Sequence, residues 1–254
     1  MRTVLVIGIG AGDPEHLTLQ AVRALQRVDA FFVVDKGPVA ASLVALRRRI
    51  VAEHVPAGSY RWVQTPDPPR DRQSSAYVEA VDDWRSRRAD AYERLLADEL
   101  GADETGAFLV WGDPSLYDST LGALTQVRER GAVAFEVEVV AGISSVSALA
   151  ARHATSLNRV GRPVLLTTGR RVAGDGLPDG VDDVAVLLDP HSAALDAADA
   201  DDEVFWGAYV STPDELLVHG RAGEVAGEIR RQRAAALERH GWVMDVTLLR
   251  RRRP

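Results

Sequence analysis

The fold is decided by the stretch Val4-Leu5-Val6-Ile7-Gly8-Ile9-Gly10-Ala11-Gly12-Asp13-Pro14. Four consecutive apolar residues that end in glycine are typical of a short strand buried on both faces, as in a parallel sheet. Glycines after such a strand let the backbone turn sharply and approach a ligand without a Cβ in the way. The pattern predicts a strand and a ligand-binding loop, with a tight turn alone as the alternative.

The spacing of these glycines argues against a nicotinamide site. The dinucleotide fingerprint G-x-G-x-x-G would place its third glycine at position 13, where this chain has Asp13. A carboxylate there would repel a pyrophosphate, and Pro14 lacks a backbone N–H that could bind one. Asp35, at the end of the next predicted strand, still matches the place of the ribose-binding acid. The loop therefore suits a ligand without phosphate, or one that carries a positive charge.

Apolar strand-like runs and amphipathic helical stretches alternate along the chain. From Thr18, the predicted N-cap, apolar residues recur at helical spacing. Such alternation predicts a parallel sheet with helices on both faces. Further strands are predicted at 31–34, 50–55, 107–111, 135–139, 164–168, 184–188, 204–209 and 242–249, helices at 40–48, 77–99, 121–130 and 144–152, a turn and the start of a final helix within 216–229, and loops at 60–73 and 196–203.

A glycine break at Ala141-Gly142-Ile143 restarts this alternation and predicts a domain boundary. We expect an α/β protein of two domains. Residues 1–141 would form an N-terminal domain with a mostly parallel sheet, and residues 142–254 a C-terminal mixed α/β domain.

Composition excludes several classes of site. With no cysteine among its 254 residues, the chain has no disulfide framework, thiolate zinc site, iron–sulfur cluster or cysteine nucleophile. A net charge of −7 gives no electrostatic footprint for nucleic acid. The six histidines show no metal-ligand spacing such as H-x-x-x-H, so no metal is predicted. No segment approaches the roughly 18 apolar residues of a membrane span, and the first residues lack a signal-peptide core, so we expect a cytoplasmic protein.

Three stretches together resemble the tetrapyrrole (corrin/porphyrin) methylase family. They are Gly8–Leu19, Trp111-Gly112-Asp113-Pro114-Ser115-Leu116-Tyr117, and Ala141-Gly142-Ile143-Ser144-Ser145 with the small-residue stretch after it. Members of the family carry a G-x-G-x-G-D-P loop, a G-D-P-x-x-Y turn and a P-G-x-S-S segment that opens the second domain. The resemblance covers essentially the whole chain.

This resemblance implies a two-domain homodimer that binds S-adenosylmethionine (SAM) in the cleft between its domains and releases S-adenosylhomocysteine. The chain departs from the family pattern at Ala11 and Ala141, which replace prolines, and at Trp111, which replaces a glycine. Asp118-Ser119 replaces the Gly-Arg pair of uroporphyrinogen methylases, which argues against a siroheme-branch substrate. Matched position by position, the cofactor-binding residues are Gly10, Ala11, Trp111, Gly112, Asp113, Leu116, Ser144, Ser145 and Leu188.

A narrower resemblance points to one kind of corrin methylase. It implies methylation of precorrin-5 at C-1 with release of acetate, in aerobic cobalamin biosynthesis. A sister methylase that acts at another ring position is the alternative, and a nicotinamide dehydrogenase and a non-catalytic tetrapyrrole carrier are competing classes. The stretches that carry the match are 77–84, 157–161, 167–171, 211–215 and 240–245.

The implied chemistry needs a positioned acceptor and a proton-handling group. Methyl transfer from a sulfonium is an in-line displacement, which requires the acceptor carbon ~3–3.5 Å from the methyl. Release of the acyl group also needs a base and an acid that activate water. By the family match, Asp13 and Asp35 face the substrate, and Asp35 is predicted to handle protons. A turn at Asp35 and a helix N-terminal charge at Asp13 are the alternatives. His153 and His191 are further candidates for water activation.

The acetate and propionate groups of such a substrate predict arginines in the site, because guanidinium groups bind carboxylates in a bidentate manner. Arg170 and Arg171, directly after a predicted strand and a glycine, are the predicted substrate-binding pair. The other clusters are Arg70 and Arg72 on a loop, and Arg85, Arg87 and Arg88 on a helix face predicted to be solvated.

Overall fold

The computed structural model describes residues 1–35, 37, 41–69 and 77–252. The chain forms two compact units. The N-terminal unit contains residues 1–10 and 14–143, and the C-terminal unit contains residues 11–13 and the chain from 144 onward. No helix in the described residues is long and apolar enough to cross a membrane.

The N-terminal unit is built on a parallel sheet. Its strands run in the order β3-β2-β4-β1-β5, and every neighbouring pair is parallel. The strands are β1 (Arg2–Gly8), β2 (Ala30–Asp35), β3 (Arg61–Pro66), β4 (Thr105–Val110) and β5 (Phe135–Val140).

Helices cover both faces of this sheet, as predicted. Side chains alternate along β1, so Leu5 and Ile7 pack on one face with α1 and α2, while Val4 and Val6 pack on the other with α3 and α4. Thr18 caps α1, because its Oγ1 accepts a hydrogen bond from Ala21 N at 3.0 Å. The helices are α1 (Leu19–Leu25), α2 (Ala41–His54), α3 (Tyr77–Asp98) and α4 (Thr120–Arg130).

The connections change face around β4. The chain leaves β1 and β2 toward the helices of one face, whereas it leaves β4 toward α4 on the other. The direction of the connections therefore reverses between β1 and β4 and between β2 and β4. Open α/β sheets bind their ligands at the carboxyl ends of strands at such a reversal.

The C-terminal unit is a mixed α/β layer. Its sheet has the order β6-β7-β10-β8-β9, in which β6 and β7 are parallel and the remaining pairs are antiparallel. Trp206 is buried against Ile229 of the long last helix. The elements are α5 (Ser145–Arg152), β6 (Val164–Thr168), α6 (Gly169–Asp175), β7 (Asp183–Leu187), α7 (Ala193–Asp196), β8 (Glu203–Ala208), β9 (Leu216–Arg221), α8 (Ala222–His240) and β10 (Asp245–Arg250).

Five segments differ from the sequence-based prediction, and two of them are the unpredicted short helices α6 and α7. The strand predicted at 50–55 lies instead in α2, where Ile50 and Val51 face the core and extend the helix to His54. The loop predicted at 60–73 contains the edge strand β3, whose exposed positions are Arg61, Gln64 and Pro66. The turn predicted after 216 is the edge strand β9. The short helices α6 and α7 have too few turns to show a helical period.

Candidate active site

Three glycines, one from each sequence motif, lie together at the carboxyl edge of the N-terminal sheet. A Cβ on Gly142 would lie 2.2 Å from the carbonyl oxygen of Gly112, and a Cβ on Gly8 would lie 2.7 Å from Gly142 N. Real Cβ atoms do not approach other atoms so closely, so these backbones can meet only because residues 8 and 142 are glycine. The ends of β1, β4 and β5 are therefore joined without side chains between them.

The glycine loop and the turn after β4 are paired through their backbones. Gly10 N donates to Gly112 O at 3.2 Å, and Gly112 N donates to Gly10 O at 2.7 Å. Both residues have left-handed φ angles, 80° and 70°, which favour glycine. A Cβ on Gly10 would also lie 2.4 Å from Cβ of His16. Gly10 and Gly112 are thus hydrogen bonded to each other through their backbones. Their contact with the cofactor stays a prediction.

Asp113 connects the second motif to the third. Its Oδ2 accepts a hydrogen bond from Gly142 N at 2.7 Å, and its Oδ1 accepts from Ser115 N at 2.8 Å and from the Ser115 hydroxyl. Partial burial opposes the charge of Asp113, but the bonds from Ser115 and Gly142 outweigh it and lower the pKa of the carboxyl. Leu116, whose amide donates to Asp113 O at 3.2 Å, completes the turn.

Trp111 presents a hydrogen-bond donor at this edge. Its ring packs against the core that contains Leu5 and Ile7. Its indole Nε1 is buried and has no acceptor in the part of the chain that the structure describes. His16 Nδ1, next to Gly10, is likewise buried and has no hydrogen-bond partner among the described residues. A buried donor left unpaired costs about 1–3 kcal/mol, so such groups are typical of sites that a ligand completes.

Asp35 lies at the carboxyl end of β2, where the sequence predicted it. Its Oδ1 accepts a hydrogen bond from Gly37 N at 2.8 Å, which is the turn geometry predicted as the alternative role. Its Oδ2 accepts from Gln64 Nε2 of β3, also at 2.8 Å. The carboxylate is therefore held at a fixed place, and its catalytic role stays a prediction.

In the C-terminal unit, Ser144 and Ser145 begin α5. Ser144 is the N-cap, and its Oγ accepts a hydrogen bond from Ser147 N at 3.3 Å. Both serines are half-buried. This capping explains locally why a serine stands at position 144. Contact of either residue with a cofactor remains a prediction.

Residues 11–13 of the glycine loop pack against the loop that follows β8. Gly12 has a φ of 151°, and a Cβ there would lie 2.4 Å from Thr212 Cγ2. Ala11 is buried, and Asp13 acts electrostatically on Arg152. Asp13 also directly precedes the short 3-10 helix Pro14–His16, so its alternative role as a helix N-terminal charge stays a prediction.

An ion pair holds the loop that follows β8 against α5. Arg152 of α5 binds Glu215 through two nitrogens, with its shortest contact at 2.6 Å. Glu215 Oε2 also accepts a hydrogen bond from Ser211 N at 2.7 Å. Ser211 has a left-handed φ of 64°, and its hydroxyl is buried without a partner among the described residues.

Leu188 and the predicted arginine pair lie near the ends of two strands of the C-terminal unit. Leu188 follows β7 with a left-handed φ of 50° and is 62% exposed, an unusual state for a branched apolar residue. Arg170 and Arg171 are exposed and lie in the first turn of α6. Arg171 pairs with Asp175 at 2.9 Å. The substrate role of the two arginines and the cofactor contact of Leu188 stay predictions.

The prediction for Arg88 was wrong. Arg85 and Arg87 are exposed or partly exposed, but Arg88 is only 7% exposed and lies between the ring of Trp84 and the hydroxyl of Tyr92. The helical period alone gave no sign of this, because four charged or polar residues surround it in sequence. Arg70 and Arg72 lie outside the described residues.

The histidines give no metal site within the described ranges. His153 Nε2 donates to Trp206 O at 3.0 Å, and burial lowers the pKa of its ring despite that bond. His191 is exposed. Neither residue lies in the glycine cluster of the N-terminal unit.

Comparison with known proteins places this geometry in context. Residues 3–226 match the family model described as tetrapyrrole (corrin/porphyrin) methylases. Precorrin-6A synthase (deacetylating) of Sinorhizobium sp is 45% identical over 251 residues, which cover 99% of this chain and 96% of that protein. Precorrin-2 C(20)-methyltransferase of Sinorhizobium sp is 31% identical over 56% of this chain and 54% of its own length.

Solved structures show the same fold. A putative cobalamin synthesis related protein (CobF) from Corynebacterium diphtheriae has a TM-score of 0.83 and 34% identity, with 98% of each chain covered. Uroporphyrin-III C-methyl transferase from Thermus thermophilus, complexed with S-adenosyl homocysteine, has a TM-score of 0.56 and 21% identity, with 97% of this chain and 96% of that chain covered.

Proposed function

This chain belongs to the tetrapyrrole (corrin/porphyrin) methylase family, and we propose that it catalyses the precorrin-6A synthase (deacetylating) reaction. In that reaction precorrin-5 is methylated at C-1 by SAM and acetate is released. The observation that carries the proposal is the 45% identity to the Sinorhizobium enzyme, which spans 99% of this chain and 96% of that one. A likeness of that extent includes both units and all three motifs.

The residues present at the carboxyl edge of the N-terminal sheet fit a SAM site. When bound, SAM supplies a methyl group on a positively charged sulfur. Gly8, Gly10 and Gly142 leave no room for Cβ atoms, so backbone surrounds this part of the site. Trp111 Nε1 offers a buried donor that has no acceptor among the described residues. We assign cofactor binding to Gly10, Trp111, Gly112, Asp113 and Leu116 of the N-terminal unit and to Ala11, Ser144, Ser145 and Leu188 of the C-terminal unit.

Asp113 would act by positioning. Its carboxylate is already used by Ser115 and Gly142, and its lowered pKa keeps it charged at any pH at which the protein works. It would hold the turn in the shape that the cofactor needs.

Asp35 is the proposed proton-handling residue, with Asp13 as a second acid on the substrate side. Water attacks the acyl carbon, the bond from that carbon to the ring breaks, and acetate leaves. A base must take the proton of the water, and the electron pair of the broken bond stays on the ring carbon. Asp35 is suited to the first task because two hydrogen bonds fix its carboxylate at a strand end.

We further propose that Arg170 and Arg171 bind acetate or propionate groups of the substrate, and that the protein works as a cytoplasmic homodimer. Both arginines are exposed. Replacement of both by glutamine should raise KM for the tetrapyrrole and leave the affinity for SAM unchanged. Light scattering on the purified protein would measure the mass of the assembly.

The test of the proposed function starts with calorimetry of the purified protein with SAM and, separately, with NADH. We expect one SAM site per chain and no NADH signal. Anaerobic turnover with precorrin-5 should then release acetate and S-adenosylhomocysteine in equal amounts. Methylation without acetate would instead indicate a sister methylase. Binding of the tetrapyrrole without S-adenosylhomocysteine formation would indicate a carrier.

A further inference from the structure

Strands β2 and β4 separate before they reach the carboxyl edge of the N-terminal sheet. They are paired only from Ala30–Phe32 to Gly106–Phe108. Arg47 of α2 lies at this separation, where its Nε donates to Leu109 O at 3.0 Å and its Nη1 donates to Leu43 O at 3.2 Å. The guanidinium group thus satisfies a carbonyl that has lost its strand partner, two residues before Trp111.

Arg47 has no direct counter-ion in the described part of the chain: no carboxylate among residues 1–35, 37, 41–69 and 77–252 lies within ion-pair distance of its guanidinium group. Arg88, on the opposite face of the sheet, is different: its Nη1 lies 3.6 Å from Asp67, and its Nη2 donates to Tyr92 OH at 3.2 Å. Two bonds to neutral carbonyls leave Arg47 with N–H groups to spare.

Burial lowers the pKa of Arg47, and the attraction of the Asp118 carboxylate does not make up for it. A cation withdrawn from water is costly unless an anion accompanies it. The place is also one where a ligand is expected, because β2 and β4 are adjacent strands whose following helices cover opposite faces.

We propose that Arg47 binds one carboxylate side chain of the tetrapyrrole at the crevice between β2 and β4, and so helps to set substrate specificity. This inference rests on the proposed function. Asp35, the proposed proton-handling residue, ends β2 at the same edge. A carboxylate fixed by Arg47 would therefore orient the ring system relative to Asp35.

Arginine suits this position better than lysine. Its fork can keep Nε on Leu109 O while the Nη groups face a carboxylate, whereas a single ammonium must divide its donors between both. Replacement by lysine should therefore keep the charge and still lose part of the affinity.

The experiment measures steady-state kinetics with precorrin-5 for Arg47→Gln, Arg47→Lys and the control Arg49→Gln. Arg49 is exposed on the same helix, so its replacement removes the same charge. We expect KM to rise about 10- to 100-fold in Arg47→Gln, the equivalent of one charge-assisted hydrogen bond, and less in Arg47→Lys. SAM affinity should stay within about twofold in all three variants, as expected for changes outside the cofactor contacts. An unchanged KM in folded Arg47→Gln would refute the proposal.

A second measurement needs no variant. Phenylglyoxal modifies arginine side chains, and peptide mass spectrometry can follow Arg47 and Arg49 separately in the wild-type protein. Precorrin-5 should slow the modification of Arg47 and leave Arg49 unaffected. Equal modification of Arg47 with and without precorrin-5 would overturn the inference, while SAM binding and acetate release would still support the proposed function.

Discussion

The carboxylate of Asp113 is hydrogen bonded to the backbone amide of Gly142, with 2.7 Å between Oδ2 and N. The two residues are 29 positions apart and belong to different sequence motifs. Their bond holds the turn after β4 against the segment after β5. The aspartate of the G-D-P turn and the glycine of the third motif therefore have a structural role in holding the two segments together, which does not depend on a ligand.

Replacement of Asp113 by alanine should weaken SAM binding and lower the free energy of unfolding by about 1–3 kcal/mol, because two backbone amides lose their acceptor. Calorimetry and urea titration would measure the two effects. Ser115→Ala is the matched control, since it removes only the hydroxyl bond to the same carboxylate.

The pH dependence of this effect has a defined sign. The pKa of Asp113 is lowered in the folded protein, so its contribution is complete above the ordinary aspartate pKa of about 3.9 and is lost as the pH falls through the lowered value. The stability difference between wild type and Asp113→Ala should therefore be constant from neutral pH down to about pH 4. A difference that disappears near neutral pH would contradict this assignment.

Gly142→Ala should disturb the junction of the three motifs. The new Cβ would lie 2.2 Å from Gly112 O, a backbone atom that cannot move without the turn. We expect a loss of about 1–3 kcal/mol in unfolding free energy, as for other overpacked sites, together with a loss of SAM affinity. Gly122→Ala is the control, because Gly122 is exposed in α4 with no atom near its Cβ position, and it should stabilise the protein by up to about 1 kcal/mol.

The motifs could be identified from sequence because their chemistry is local. Where the backbone takes a left-handed φ or approaches another backbone closely, as at Gly10 and Gly112, the residue is glycine, and this is visible in the sequence. Strand and helix alternation likewise predicted the parallel sheet and the mixed second unit, since both depend on periodicity. The end of β2 was also placed correctly, with Asp35 as its last residue.

Features that depend on tertiary packing could not be predicted in this way. Residues 50–55 were predicted as a strand because their apolar run is too short to show a period. In the structure, Ile50 and Val51 pack as part of a helix into the same core as Leu5 and Ile7 of β1. Arg88 lies in a highly charged stretch, yet the rings of Trp84 and Tyr92 enclose it. Arg47 is one of three consecutive arginines, and nothing in that run distinguishes it from Arg49.

Removal of Arg152 and removal of Glu215 should lower the free energy of unfolding by different amounts, although the two residues form one ion pair. Arg152 is largely exposed, so Arg152→Gln should lower the free energy of unfolding only slightly. Glu215→Ala should cost more, about 1–3 kcal/mol, because Glu215 is mostly buried and Ser211 N would lose its acceptor. Urea denaturation of both single variants and of the double variant would give the coupling. Equal costs for the two single variants would show that the Ser211 bond adds nothing.

Because of His153, the free energy of unfolding should decrease in mild acid. Burial lowers its pKa below the ordinary value of about 6.5, so the unfolded chain takes up a proton at a higher pH than the folded protein does. The contribution of His153 is complete above about pH 6.5 and decreases as the pH falls toward the lowered pKa. His153→Gln should reduce this loss of stability between neutral and mildly acidic pH, whereas the exposed His191→Gln should not. Identical pH profiles for wild type and His153→Gln would refute the assignment.

Asp35→Asn separates the catalytic role of Asp35 from its role in the turn. An asparagine Oδ1 can still accept from Gly37 N, and its amide can face Gln64 after that side chain turns its own amide over. The fold should therefore be kept while the base is lost, and kcat should fall by about 10²- to 10⁴-fold with SAM affinity unchanged. Asp29→Asn is the matched control: Asp29 precedes the opposite end of the same strand, where its Oδ2 accepts from Thr105 N at 2.8 Å. If kcat is the same in Asp35→Asn and Asp29→Asn, Asp35 is only a turn residue, and the base that activates water lies elsewhere.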